Sequence, residues 1–166
     1  LSGVAERHFW LIEEYRRAID RIAAAGFMAT IENETRGCVL ASPGDVRLLF
    51  DLIDRPGKVM FTWDAQNMWQ CGTWPSVEVY EELRDLTGYV HFKGGRSAEP
   101  GGPLAHRSYL EDSSYDVAGI VRCVAASGRV EAICLNPPHG AARPDYDDSQ
   151  RVERDLAYLR RLVEGA

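Results

Sequence analysis

The side chains best suited to chemistry follow four short apolar runs. Two carboxylates and an imidazole, each placed after a different run, can converge on one divalent metal ion. Oxygen and nitrogen ligands of this kind suit Mn²⁺, Zn²⁺, Co²⁺ or Mg²⁺ better than a thiolate-binding ion. Such a metal polarises a carbonyl and holds the negative charge of an enediolate while a carboxylate moves the proton. In chain order the residues are Glu32 with Asn33 and Glu34, Asp64 with Asn67, His91 with Lys93, and Asn136 with His139.

The elements that must position these residues alternate between buried strands and amphipathic helices. In the first helical pattern, Phe9, Ile12 and Ile19 recur at helical spacing and form one apolar stripe. Ser42 precedes a proline, which is typical of a helix cap. The predicted strands are Phe27–Ile31, Lys58–Trp63, Tyr89–Lys93 and Val130–Leu135, and the predicted helices run from about Glu6 to Ala25, from Ser42 to Ile53, from Pro75 to Leu86, from about Tyr115 to Ser127 and from Asp148 onward.

The alternation of strands and helices predicts an α/β fold with a parallel sheet. An open doubly wound sheet and part of a (β/α)8 barrel both fit the pattern. No glycine-rich dinucleotide turn follows any strand, which weighs against nucleotide-binding versions of the open sheet. Polar residues instead gather where the strands end, which is where barrel enzymes place their sites. A long glycine- and proline-rich loop, Gly94–Pro103, also points to function.

Composition excludes several classes of protein. The 166 residues carry 19 basic and 25 acidic side chains, a net charge of −6, which argues against nucleic-acid binding. No apolar run approaches the roughly 18 residues of a membrane span, so we expect no membrane partner. The four cysteines lie far apart and form neither a disulfide framework nor a zinc-ribbon pattern. They predict reduced cysteines and a cytoplasmic protein.

Four segments of the chain resemble known strand motifs. They are similar, in order and spacing, to successive motifs of the xylose isomerase-like sugar phosphate isomerase/epimerase superfamily. The second has the Trp-Asp-x-x-Asn pattern of that superfamily and the third its Val-His-x-Lys strand end. The segments are Ile31–Thr35, Phe61–Asn67, Tyr89–Lys93 and Leu135–Gly140.

The resemblance implies a (β/α)8 barrel with a divalent metal bound by Glu32, Asp64 and His91. The fourth ligand falls at Asn136, where the superfamily normally has a glutamate. An amide oxygen can bind a metal but cannot act as a base near neutral pH. Exchange of a proton by two bases is therefore in doubt, whereas a reaction with one base, Glu32 or the neighbouring Glu34, is less affected.

The resemblance also implies a sugar-like small-molecule substrate. We expect Asn67, Lys93 and His139 to contact it, and Trp63 to offer an apolar wall to a sugar ring. Two further tryptophans, Trp69 and Trp74, flank the same motif and suit such a wall. Barrel packing for Trp63 and a loop or cap role for His139 are the alternatives. The acidic net charge and the asparagine at position 67 both argue against a related endonuclease activity.

These observations together predict a divalent-metal-dependent isomerase or epimerase of a sugar, sugar phosphate or related hydroxy-carbonyl compound. Glu32 is both ligand and base in this hypothesis. A metal-dependent dehydratase of the same fold is the first alternative. A non-catalytic ligand-binding relative is the second, because Asn136 replaces the last-strand glutamate.

The length of the chain bears on all these hypotheses. A complete barrel needs about 250 residues, and the motifs match those of strands five to eight, preceded by the fourth helix. We therefore expect residues 1–166 to form a single, partial barrel domain that begins at Leu1. A lone half would expose two sheet edges and an inner face. It would then belong to a longer chain, or pair with another half or with a second copy.

Overall fold

A computed structural model describes residues 2–35 and 37–165, so that Leu1 and Ala166, the limits of the predicted domain, lie outside the described residues. Its main feature is a four-stranded sheet with the spatial order β1-β2-β3-β6. Every neighbouring pair in this sheet is parallel, which confirms the predicted α/β class. The strands are β1 (Ala29–Glu32), β2 (Val59–Asp64), β3 (Thr87–Phe92) and β6 (Ala132–Leu135).

Helices connect the strands and form one layer. Consecutive long helices contact one another in chain order, α2 with α3, α3 with α5, α5 with α6 and α6 with α7. A doubly wound sheet would divide its helices between two faces, so this single layer favours the barrel type. The helices are α1 (Ser2–Arg7), α2 (Phe9–Ala24), α3 (Pro43–Ile53), α4 (Ala65–Gln70), α5 (Val77–Leu83), α6 (Val117–Ser127) and α7 (Asp148–Glu164).

Two features were absent from the sequence prediction. Helix α4 begins directly after β2, and the long loop folds into an antiparallel hairpin of β4 (Gly95–Ser97) and β5 (Leu104–Arg107). Glycine permits the hairpin because a Cβ on Gly95 would lie 2.6 Å from Leu104 Cδ1. The glycines that predicted a loop therefore allow close packing between two short strands.

The two faces of the sheet differ in burial. Phe61, Trp63, Val90 and Phe92 point toward the helical layer and are fully buried. On the opposite face, the helices leave Thr30 exposed and residues such as Met60, Tyr89 and Cys134 partly exposed. A parallel sheet is normally covered on both faces. This open face corresponds to the interior of a barrel.

The edges of the sheet are also uncovered. Strands β1 and β6 form its two edges. Beside β1, Phe27 is 71% exposed, and on α7, which packs on β6, Val152 is 52% exposed and Val163 is 45% exposed. Apolar side chains therefore flank both edges. Among the described residues, no helix is long and apolar enough to cross a membrane.

Candidate metal centre

The predicted ligands meet at the carboxyl ends of the parallel strands. Glu32 ends β1 and Asp64 ends β2, while His91 lies one residue before the end of β3. Asp64 is paired with His91 in the register of β2 and β3. Since adjacent parallel strands end at the same edge, side chains remote in sequence become neighbours there.

The side-chain atoms of these three residues converge. Glu32 Oε1 lies 2.8 Å from His91 Nδ1, and Asp64 Oδ2 lies 3.9 Å from the same nitrogen. One ligand atom from each residue lies within 4.8 Å of the others. Ligands bound to one cation at about 2.1 Å lie about 3.0 Å apart when adjacent and about 4.2 Å apart when opposite in an octahedron. The observed separations fit a divalent cation.

Asn136 brings a fourth polar group to the same point. Its Nδ2 lies 2.9 Å from His91 Nδ1. The carboxylate of Glu32 can only accept a hydrogen bond and an amide nitrogen can only donate one, so a single Nδ1 cannot satisfy both. Rotating the amide end for end places its oxygen there instead. The space between the four side chains is then lined by three oxygens and the His91 nitrogen, which is a donor set for a hard divalent metal.

The two carboxylate oxygens of Asp64 have different partners, and one of them is placed to bind a cation. Asp64 Oδ1 caps α4 by accepting a hydrogen bond from the Asn67 backbone N–H at 2.8 Å. Oδ2 is buried and, among the described residues, has no hydrogen bond of acceptable geometry. Nζ of Lys93 lies 2.7 Å from Oδ2 as an ion-pair contact. One oxygen of Asp64 thus caps α4, while the other remains able to coordinate a cation.

Comparisons with known proteins place this geometry in a known fold. No family model and no curated protein matches the chain. A xylose isomerase-like TIM barrel protein from Mycobacterium smegmatis, solved in complex with magnesium, is similar with a TM-score of 0.69 and 19% identity, over 92% of this chain and 49% of that one. A probable 3-DHS dehydratase from Bacillus anthracis has a TM-score of 0.66 and 15% identity, over 90% and 55%. A 3-keto-D-glucoside 4-epimerase from E. coli has a TM-score of 0.64 and 19% identity, over 90% and 52%.

The chain has the fold of half a xylose isomerase-like TIM barrel. It spans about half the length of the solved structures it matches. The predicted half-barrel architecture is confirmed, with the β1, β2, β3 and β6 strands as its four barrel strands.

In this half barrel, Asp64 is the most deeply buried ligand. Its side chain is 0% exposed, whereas the Glu32 side chain is 31% exposed. Burial raises the pKa of Asp64, and the positive charge of Lys93 opposes that rise. The two carboxylates therefore differ in accessibility, and only Glu32 is open to a substrate.

Asn33, which the sequence placed beside Glu32 without a role, clamps two strand ends of the half barrel together. It is fully buried. Its Nδ2 donates to the Asp64 carbonyl at 2.9 Å, and its Oδ1 accepts from the Asp64 N–H at 2.8 Å. Because Asn33 directly follows Glu32, this double hydrogen bond fixes the spacing of two ligands. An amide directly after a strand-end carboxylate was the only signal for this role.

The predicted substrate contacts Asn67 and Lys93 are both buried and paired. Asn67 Nδ2 donates to the Asn33 carbonyl at 3.1 Å, and Lys93 Nζ donates to Asn67 Oδ1 at 2.8 Å. Lys93 is 6% exposed. The contacts of both side chains support the junction at which Asp64 connects β2 to α4.

His139 lies on the open side of this network. Its Nε2 is 3.3 Å from Lys93 Nζ, and its backbone N–H donates to Oε1 of the buried Gln66 at 2.7 Å. Burial and the nearby charge of Lys93 lower the pKa of His139, so the neutral ring can accept from Lys93. Gln66 also donates to the Gly94 carbonyl at 2.8 Å. Gln66, which the sequence did not single out, thereby connects α4 to the loops after β3 and β6.

The prediction that Trp63 contacts substrate is wrong. Its side chain is 0% exposed and stacks on Tyr80 of α5, with ring centroids 6.0 Å apart. Successive residues of a strand point to opposite faces. Because Asp64 and His91 face the open side, Trp63 faces the helices and belongs to the core.

Proposed function

We propose that this half barrel carries the metal centre of a divalent-metal-dependent isomerase or epimerase. The substrate class is a sugar, a sugar phosphate or a related hydroxy-carbonyl compound, and the reaction passes through an enediolate. The observation that carries the proposal is the convergence of Glu32, Asp64 and His91 at the carboxyl ends of adjacent strands. The magnesium complex of a similar fold supports a hard divalent metal as the cofactor.

The residues divide the work by their exposure. Glu32, Asp64 and His91 would hold the metal, with the amide oxygen of Asn136 as a fourth ligand. A bound divalent cation supplies stabilisation of negative charge on the substrate oxygens. Glu32 is the base, because its carboxylate is the partly exposed one and can reach a carbon-bound proton. In an isomerisation, Glu32 then returns the proton to the neighbouring carbon, and the hydroxyl proton passes from one substrate oxygen to the other so that the carbonyl and hydroxyl exchange places.

The remaining predicted contacts differ in how directly they act on the substrate in this proposal. His139 is an exposed residue whose Nε2 lies 3.3 Å from the Lys93 ammonium, so it is placed to contact a substrate hydroxyl. Lys93 contributes positive charge near the substrate from a buried position. Asn67 holds Lys93 in place and so acts on substrate indirectly.

Solvent exchange tests the proposal directly. The metal-stripped protein is incubated in D₂O with Mn²⁺ and a panel of ketoses, inososes and hydroxypyruvate, and deuterium incorporation at carbon is followed by NMR. We expect exchange that requires the metal and that is lost in Glu32→Gln. The neighbouring Glu34→Gln keeps exchange if Glu32 is the base. Failure of any divalent metal to bind or activate would refute the enzyme proposal and leave a ligand-binding relative.

Asn136 favours a second candidate, a metal-dependent dehydratase. Elimination of water α,β to a carbonyl needs one base to remove the proton, and Asn136 cannot supply a second. One protein of similar fold is itself a probable dehydratase. Appearance of a conjugated carbonyl absorbance with a hydroxy-ketone substrate, without epimer formation, would decide for this reaction. Asn136→Glu tests the difference further, since a second carboxylate would favour epimerisation.

We further propose that the active form contains four more βα units, supplied by the same chain or by a second molecule. The open sheet face and the exposed Phe27 and Val163 beside the two edges support this proposal. Sedimentation of the 166-residue chain should show self-association, which Phe27→Asp weakens. A stable, monodisperse monomer would contradict it. The four free cysteines support a reducing compartment, and we propose the cytoplasm.

A further inference from the structure

A cleft opens among the loops around Trp74. It has a volume of about 530 Å³ and is lined by Trp69 and Trp74, by Leu104, and by backbone of Gly102 and Gly140. Small-molecule sites have volumes of about 300–1,000 Å³. The cleft therefore has the size of a ligand site, and none of the roles assigned above to the metal centre uses it.

The cleft is built from the loops that follow three barrel strands. Trp69 lies on α4 after β2, Gly102 lies in the loop of the hairpin after β3, and Gly140 follows β6. These loops stand at the carboxyl ends of the strands, the face on which barrel enzymes bind substrates. The cleft and the metal centre thus share one face of the fold.

A short chain of contacts links the cleft to the metal ligands. Gly140 in the cleft wall directly follows His139, whose Nε2 is 3.3 Å from Lys93 Nζ. The same Nζ is 2.7 Å from Asp64 Oδ2. Because the separation cannot exceed the sum of these two distances, the His139 ring lies within about 6 Å of a metal ligand. The cleft wall at Gly140 is thus one residue along the chain from a side chain beside the metal centre.

The walls of the cleft suit a flat ring. The Trp69 indole N–H donates to the Gly102 carbonyl at 2.9 Å, so its ring is fixed. Trp74 meets Trp69 edge to face, with ring centroids 4.9 Å apart. Trp69 is 4% exposed, so it supports Trp74 from behind. The partly exposed Trp74 indole is the aromatic surface that the cleft offers to a ring.

We propose that this cleft binds a second ring of the substrate, so that the natural substrate is a reducing sugar that carries a second ring on one of its hydroxyl groups rather than a free monosaccharide. The first sugar occupies the metal centre and the attached ring, a sugar or an aromatic group, packs against Trp74. This inference rests on the proposed function for its first subsite. It assigns Trp74 as a specificity-determining residue that takes no part in metal binding.

Matched reducing sugars test the cleft. Glucose and galactose, their 4-O-methyl and 4-O-benzyl ethers and their 4-O-linked disaccharides are titrated against the Mn²⁺-loaded protein by calorimetry and tryptophan fluorescence. We expect the benzyl ether or the disaccharide to bind at least ~10-fold more tightly than the methyl ether of the same sugar. The benzyl and disaccharide arms distinguish an aromatic from a sugar ring.

Variants assign the effect to the cleft. Trp74→Ala should reduce the preference for the larger ligand to within about twofold, while Trp74→Phe retains most of it. Trp10→Ala is the control, because Trp10 is a 60% exposed tryptophan on α2. Mn²⁺ affinity should be the same in all three variants, which separates loss of the ring subsite from loss of folding.

The outcomes separate this inference from the proposed function. Metal-dependent solvent exchange without any preference for a second ring would overturn the cleft proposal alone. A preference that survives Trp74→Ala would also overturn it. A preference that depends on Trp74, found without solvent exchange, would support the cleft as a ring-binding site and refute the proposed reaction.

Discussion

Replacement of Asn33 by alanine tests whether the strand-end clamp holds the metal centre together. The side chain is fully buried and makes two hydrogen bonds to the backbone of Asp64, one as donor and one as acceptor. Alanine removes both partners and leaves a buried N–H and a buried carbonyl without them. The ligands Glu32 and Asp64 then lose the connection that sets their spacing.

The magnitude follows from the number of groups left unpaired. Each buried polar backbone group without a partner costs about 1–3 kcal/mol, so two cost about 2–6 kcal/mol. A domain of this kind has a free energy of unfolding of about 5–15 kcal/mol, so the variant should remain folded but lose a large part of its stability. With a urea m value of about 2 kcal/mol/M, the unfolding midpoint should fall by about 1–3 M.

Urea unfolding and Mn²⁺ titration of the same samples provide the assay. Gln66→Leu is a matched control, because Gln66 is equally buried and also makes two hydrogen bonds to backbone, to His139 and Gly94. Both variants should lose similar stability, but only Asn33→Ala should weaken Mn²⁺ binding, by at least ~10-fold. Equal Mn²⁺ affinities in the two variants would refute the idea that Asn33 positions the ligands.

Three further predictions concern the titratable groups of the site. Glu32→Gln should lower metal-dependent solvent exchange by about 10²–10⁴-fold, measured by deuterium incorporation at saturating Mn²⁺, because it removes the base; unchanged exchange would exclude Glu32 from that role. Lys93→Met should destabilise the metal-free protein by about 3–5 kcal/mol because it leaves the buried Asp64 carboxylate unpaired, and Mn²⁺ should restore more stability to this variant than to wild type in urea unfolding. The pKa of His139 is lowered in the folded state, so the unfolded state binds a proton first as the pH falls, and the free energy of unfolding should decrease below about pH 6.5. His139→Gln should flatten this part of the plot of unfolding free energy against pH. An identical slope in the variant and the wild type would contradict the assignment.

Much of the fold could be predicted from apolar spacing. The strands and long helices appear where periodicity places them, and the Ser42 cap of α3 accepts from the Asp45 N–H as expected. The first helix instead divides at His8 into α1 and α2. Helix α4 is short and buried at every residue except Gln70, so it lacks the amphipathic alternation that identifies longer helices. The hairpin was missed because glycine signals a turn in sequence and close packing in structure.

The metal ligands could be predicted because their positions follow from where the strands end. Glu32, Asp64 and His91 converge because parallel strands end together, a rule that needs no knowledge of packing. The pairing of Asn67 with Lys93 depends on the path of a short helix, which sequence spacing does not reveal. Trp63 was harder to place, because it directly precedes Asp64 in the same strand. Its side chain therefore points to the core, although that of its neighbour points to the site.

The clustering of every candidate ligand on one contiguous four-stranded sheet has an evolutionary consequence. Recombination that exchanges the complementary half would replace pocket walls without altering the ligand set. Metal chemistry would then be inherited with this half, whereas substrate preference would depend on both halves, because the proposed contacts His139 and Trp74 lie in this one. Chimeras that join this half to the complementary halves of different barrels should keep similar metal affinity while their substrates diverge.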